Sequence, residues 1–342
     1  MSDPIESNVD VEPGVLELFR RTLMRAADNV APPDAELDSI RTQKLVLAGI
    51  RHFGLEDRVT VQWYLDGDML PHLPEAGNDV AIVTNAGYDE GPFPTEDEVY
   101  RCYTEELPDV FPTGETLSEI LKRDPFKWLE DYYRAKDIPF SEVYQTNLEI
   151  YLRLRHLEQY YDPDHSREDL PGSTPTEIAD DISNATMRMK TAMTRYILFQ
   201  SLGPYVTEFD RIAEQILSAI KAEHDSDCES RSDQKILISH LASFYYNAIW
   251  EPIAARIGYY TVKAPSQEKL DETRTSRVRQ LKLTRTRFFE ELDKLRSRTD
   301  EFDIRLETRT ERLPQINPER SGLEEVLSLD MGDLSGERTA ES

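Results

Sequence analysis

Residues 234–257 read QKILISHLASFYYNAIWEPIAARI, and the fold class turns on them. Ile236, Leu237, Ile238, Leu241, Phe244, Tyr245, Ile249, Trp250 and Ile253 recur at helical spacing. Their unbroken apolar stretches fall far short of the ~20 residues that span a bilayer. The stretch therefore predicts the central core helix of the second half of the chain. Ser239, Ser243, Asn247 and Glu251 fall every four residues along one face. Such a seam either lines a site or marks the solvent edge. His240, inside the same helix, is either a satisfied core histidine or a buried base and pH switch.

Working outward, 205–223 predicts one further helix and 174–202 another. The latter opens on Thr174-Pro-Thr-Glu177, a capping box with proline at its first helical position. HDSDCESRSD (224–233) reads as a polar loop, and YYDPDHSREDLPGS (160–173) as a linker. On the C-terminal side, 266–310 predicts one long helix. Val278, Leu281, Arg285, Phe288, Leu292, Leu295, Thr299, Phe302 and Leu306 follow a 3-4 heptad spacing. Across Thr273–Phe289 there is no acidic residue but six basic ones: Arg274, Arg277, Arg279, Lys282, Arg285 and Arg287. Three readings stay open for this island: a partner-helix contact, a nucleic-acid contact, or a solvated face. Mixed with Phe288 and Leu292, the positions Arg274, Arg277, Lys282 and Arg285 fit a protein contact best.

In the N-terminal half, 14–29 and 38–53 predict amphipathic helices, the second N-capped by Asp38. VTVQWYL (59–65) alternates, and Asp66-Gly67 then marks a hairpin turn. Pro71 and Pro74 keep the return strand short, and DVAIVT (79–84) adds a candidate strand. Helices follow at 95–107, 115–122, 124–136 and 140–161. The expectation is a mainly α chain of two helical domains, the first with a small β-hairpin near 59–72. A disordered tail (1–12) precedes the first domain (13–165). A bundle with a long terminal helix (174–312) and a flexible acidic tail (313–342) follow. Within that tail, SGLEEVLSLDMGDL (321–334) alternates acid and apolar residues like a partner-docking helix.

The chain has 342 residues with 66 acids against 40 bases, a net charge of −26, and this argues against generic adhesion to nucleic acid or anionic membrane. The opening MSDPIESNVDVEPG lacks the basic and apolar regions of a signal peptide. Two cysteines, Cys102 and Cys228, build no disulfide framework, which suits a reducing cytoplasm. The sequence holds no phosphate loop, dinucleotide fingerprint, nucleophile elbow or H-E-x-x-H pair, so no catalytic residue and no cofactor is predicted. Asp162, Asp164 and His165, with Glu168 and Asp169, form the nearest approach to a metal cluster. The spacing misses the calcium-loop pattern, with Arg167 where glycine and Ser173 where glutamate are needed.

Two resemblances add to this. With 11 lysines against 29 arginines among so many acids, the composition resembles that of haloarchaeal, salt-in proteins. In molar salt charges are screened within ~3 Å, so a dense carboxylate surface is tolerated. IRTQKLVLAGIRHFG (40–54), VQWYLDGDMLP (61–71) and ILKRDPFKWLEDY (120–132) together resemble the SocA-like, Panacea-domain antitoxins over residues ~14–135. The family's Gly-Pro is replaced here by Gly67-Asp68. That resemblance implies a helical domain that binds a toxin or hands a client to a chaperone or protease, with no catalytic residues. The expected function is a non-enzymatic interaction or regulatory module, with a protein partner or self-association through 266–310. A DNA-associated regulator, using the helix–helix–hairpin and the arginine-rich helix, is the alternative. A metal-assisted enzyme is the third.

Overall fold

The computed structural model describes residues 11–31, 37–65, 67–74, 93–135, 140–162, 174–222 and 228–316. The candidate strand at 79–84, most of the 160–173 linker, and residues 1–10 and 317–342 lie outside the described residues. The chain is mainly α, as the periodicity predicts. It divides into two units, of which the first takes residues up to Ala135 together with Gly258–Thr275. The division thus falls at 135/136 rather than in the 160–173 linker, and 258–275 belongs with the first unit.

In the first unit, α1 (Glu12–Val30) and α2 (Ser39–His52) bury Val15, Leu16, Phe19, Leu23, Leu45, Leu47 and Ile50. Asp38 caps α2 by accepting the Arg41 amide. The alternating run pairs as a two-stranded antiparallel hairpin, β1 (Gln62–Tyr64) with β2 (Gly67–Met69). Gly67 is required there. Its φ is +87°, and a Cβ would stand 1.9 Å from the Tyr133 hydroxyl.

The chain continues through α3 (Glu96–Arg101), a π-helical turn at 102–106, α4 (Leu107–Val110), α5 (Leu117–Lys122) and α6 (Pro125–Ala135). Pro108, which falls between the helices expected at 95–107 and 115–122, does not end the first of them at once. Pro108 lacks an N–H for the Thr104 carbonyl, and the helix widens into the π turn instead of stopping. Capping boxes at Thr95/Glu98 and Thr116/Glu119 start α3 and α5. From α6, Trp128 stacks on Phe111 and Tyr132 meets it tilted, with ring centroids 5.6 and 5.2 Å away.

The returning segment is fastened to this unit by a carboxylate at the start of α1. Glu12 is fully buried, so the helix begins inside the stretch 1–12 expected to be tail. It accepts the Thr60 amide at 2.5 Å, lies 3.1 Å from His72 Nδ1, and pairs with Lys269. A backbone bridge from Val61 to Lys263 adds to it. A charge-assisted bond of this kind contributes ~1.5–3 kcal/mol. Lys269→Met is expected to speed amide exchange across 262–272 by about tenfold or more, read by mass spectrometry. Unchanged exchange would show that Lys269 is not what holds the segment.

In the second unit, α7 (Ser141–Tyr160) and α8 (Pro175–Thr194) pack together, and α9 (Gly203–Ala222) packs on α8. The predicted capping box at Thr174/Glu177 starts α8. The decisive apolar stretch lies in one uninterrupted helical run: α10 (Cys228–Phe244), a π segment (Tyr245–Trp250) and α11 (Glu251–Thr261). The loop expected at 224–233 is therefore helical from Cys228. The π segment again precedes a proline by two residues, here Pro252, whose missing N–H leaves the Ala248 carbonyl without its helical partner. Of the polar seam, Ser243 is exposed and Ser239, Asn247 and Glu251 are half-buried, so it marks a solvent edge.

The long helix expected at 266–310 is interrupted and shorter: α12 (Gln267–Lys282) and α13 (Thr284–Glu301) meet at Leu283. It closes early because Asp303 takes a left-handed φ of 56°. The Ile304 amide then donates back to the Thr299 carbonyl and that of Asp303 to Asp300, completing a Schellman ending.

An extended strap follows and lies along α9. Gln215 both donates to the Glu307 carbonyl and accepts its amide, Glu208 accepts the Arg309 amide, and Tyr205 donates to the Pro314 carbonyl. Leu313 and Ile316 are buried, so 313–316 is packed structure and not the start of a flexible tail.

Candidate interaction face

The inward residues of the last two helices are Arg277, Leu281, Thr284, Phe288, Leu292, Leu295 and Thr299. From Phe288 onward they keep the expected positions, but before it Arg277 and Thr284 occupy the inner positions assigned to Val278 and Arg285, so two steps of four meet at Phe288. Within the second unit α13 packs against α10 and the π segment, and Phe288 meets Tyr205 and Phe244 edge-on at 5.3 and 5.2 Å. Phe288 and Leu292 are fully buried. As partner contacts they are corrected: a core consumes the apolar seam that was expected to bind another helix.

The basic residues fall into different settings. Arg274 lies over the Tyr259 ring at 5.7 Å. Arg277 is buried and donates to Gln280 Oε1 at 2.8 Å. Arg287 pairs with Glu251. Arg279 and Lys282 are exposed, and Arg285 is half-buried over the Phe289 ring at 5.7 Å. Arg285 also leaves a buried Nε without a hydrogen-bond partner. Between these cations, at the interruption of the two helices, Leu283 is 47% exposed. Among the described residues, neither Arg279 nor Arg285 has a carboxylate at ion-pair distance, although the chain carries 66 acids. Leu283 escaped the sequence reading because it is off the heptad; its signal was an apolar residue inside a basic run.

The basic residues of the helix–helix–hairpin and the candidate metal ligands do not gather into a site among the described residues. On α2, Arg41 pairs with Asp38 and donates to the Arg123 carbonyl. Lys44 is 1% exposed beside Asp68, and Arg51 pairs with Asp68 and Glu56. The bases that a groove-reading α2 would present are thus spent inside the unit. Asp162 pairs with Lys235 at 2.7 Å, while Asp164 and His165 lie outside the described residues. Among the described residues no group of His, Cys, Asp and Glu is placed to hold a metal. Burial pushes the Cys102 thiol up to about 12, with Glu106 adding to it, so this sulfur stays protonated and inert. Half-buried His240 is held below its usual value by desolvation and by Arg298.

A groove of about 580 Å³ beside the strap is lined by Glu208, Asp210, Arg211, Glu214 and Arg309. Two of its acids are already matched, Glu208 by Arg211 and Asp210 by Lys190.

A family model described as a domain of unknown function, DUF8098, matches residues 12–315, and the chain belongs to that family. The match runs from the first residue of α1 to the end of the strap, leaving 316–342 beyond it. Comparison with curated proteins and with solved structures gives no match. No described helix is long and apolar enough to cross a membrane.

Proposed function

We propose that the chain is a non-enzymatic interaction module that takes an acidic, apolar protein segment on the face formed by Arg279, Lys282, Leu283 and Arg285. One observation carries this reading. Arg279 and Arg285 have no acidic partner among the described residues and flank an exposed leucine, in a chain where acids outnumber bases. Arginine is enriched at interface centres, and the exposed Leu283 adds apolar area beside two of them. The resemblance of residues ~14–135 to partner-binding antitoxins supports the same class. A DNA-binding α2 is disfavoured, because Arg41, Lys44 and Arg51 are engaged internally.

The test places a photo-crosslinking side chain at exposed Thr286 in the full chain, expressed in its own host, with Met187 (56% exposed) as the control position. An adduct with another protein is expected at 286 and not at 187, lost in the Arg279→Glu/Arg285→Glu variant. Adducts insensitive to charge reversal would overturn the reading. So would duplex binding by the wild type that the same reversal abolishes.

A further inference from the structure

The stretch without an acid, 273–289, has a mirror image in the same chain. From Ser321 to Glu337 there is no basic residue, and Glu324, Glu325, Asp330, Asp333 and Glu337 accompany Leu323, Val326, Leu327, Met331 and Leu334. Those five apolar residues fall on one stripe at helical spacing. We infer that this C-terminal segment is the occupant of the Arg279–Arg285 face in the free chain, docking in cis with its apolar stripe on Leu283 and its acids toward Arg279 and Arg285. The inference rests on the face being an interaction surface. It adds that the surface is covered by its own chain, so that an external partner must compete for it.

The place where the described chain ends makes this reachable. Pro314 is held by the Tyr205 hydroxyl at 2.5 Å, and the Tyr205 ring lies 5.3 Å from that of Phe288. Arg285 is close enough to Tyr205 to act on its hydroxyl. Along the helix, Phe288 and Leu283 are separated by about 7.5 Å. The six residues from 317 to 322 extend to about 20 Å, enough to pass round a helix whose diameter with side chains is about 10–12 Å. A tether of that length sets an effective concentration in the millimolar range. A segment of millimolar intrinsic affinity is then docked about half the time, and a partner that binds more tightly displaces it. At molar salt the charges are screened within ~3 Å and the apolar contact is strengthened. Leu283 then carries the docking, and the arginines select an acidic segment over other apolar ones.

The experiment uses the full chain with the crosslinker at Thr286, prepared both in natural abundance and in heavy isotope and mixed before irradiation. The expected product is a monomeric adduct joining 286 to a peptide from 321–334 of the same isotopic mass. Its yield should fall at least fivefold in Leu327→Asp/Met331→Asp and in Arg279→Glu/Arg285→Glu, and recover when Glu324→Lys/Glu325→Lys is added to the latter pair. In the same variants, amide exchange across 276–287 should quicken. Mixed-isotope adducts would overturn docking in cis in favour of a second copy. An adduct with another protein in cells, with no intrachain adduct in the purified chain, would sink the tail proposal and leave the interaction module standing. No adduct of either kind would sink both.

Discussion

Asp68→Asn is expected to destabilise the first unit by about 3–5 kcal/mol, the cost of leaving a buried cation without its counter-charge. The Asp68 carboxylate sits near the start of β2, where three side chains converge on it. Lys44 Nζ is 3.4 Å from Oδ1, Arg51 donates to Oδ2 at 2.9 Å, and the Tyr133 hydroxyl donates to Oδ1 at 2.7 Å. The Asp68 amide donates in turn to the Tyr133 oxygen at 2.9 Å. Asparagine keeps one acceptor oxygen but removes the charge, and two cations then face each other across it. Lys44 is 1% exposed, so neither solvent nor salt screens it. For a unit of this size the melting temperature should fall by about 10 °C or more. Exchange of the hairpin amides (62–69) should rise first.

Lys44→Met added to Asp68→Asn is expected to restore a large part of the loss, because replacing both members of a buried pair costs far less than orphaning one. A single variant that melts within about 2 °C of the parent would show that the network contributes nothing.

Leu292→Asp is expected to leave the second unit unfolded, whereas Arg285→Glu changes its stability by less than about 1 kcal/mol. Leu292 is fully enclosed among the inward residues of α13. Truncating a buried leucine costs ~2–5 kcal/mol by itself, and a carboxyl group without a partner adds several more. Together these approach the whole stability of a domain, about 5–15 kcal/mol. Circular dichroism and size exclusion at matched salt separate the two variants. A Leu292→Asp chain that stays folded and loses only a partner would restore Leu292 to the outside of the molecule.

The local rules were fully legible in the sequence. Thr174–Glu177, Asp38 and Gly67 did what their chemistry predicts, since caps and turns are settled within a few residues of chain. The prolines were half legible. Pro108 and Pro252 each remove one helical hydrogen bond, but a flanking π turn absorbs the loss and the helix goes on. The heptad of the last helices was legible as a period and illegible as a partner. A repeat of apolar residues states that a stripe is buried and cannot state by what. Here α10 and the π segment bury it, and a shift of one position puts Thr284 inside and leaves Arg285 at the flank.

A mainly α chain, its capped helix starts, the small hairpin and the position of the basic island follow from local sequence, because spacing, capping and charge are properties of neighbours along the chain. Packing across the fold sets the rest: Lys44 and Arg51 are spent on Asp68, Lys269 returns to Glu12, and Leu283 rather than Phe288 or Leu292 reaches the surface. Those outcomes depend on residues 24 and 257 positions apart meeting in space, and the cost of burying a charge is settled only by the group it meets there.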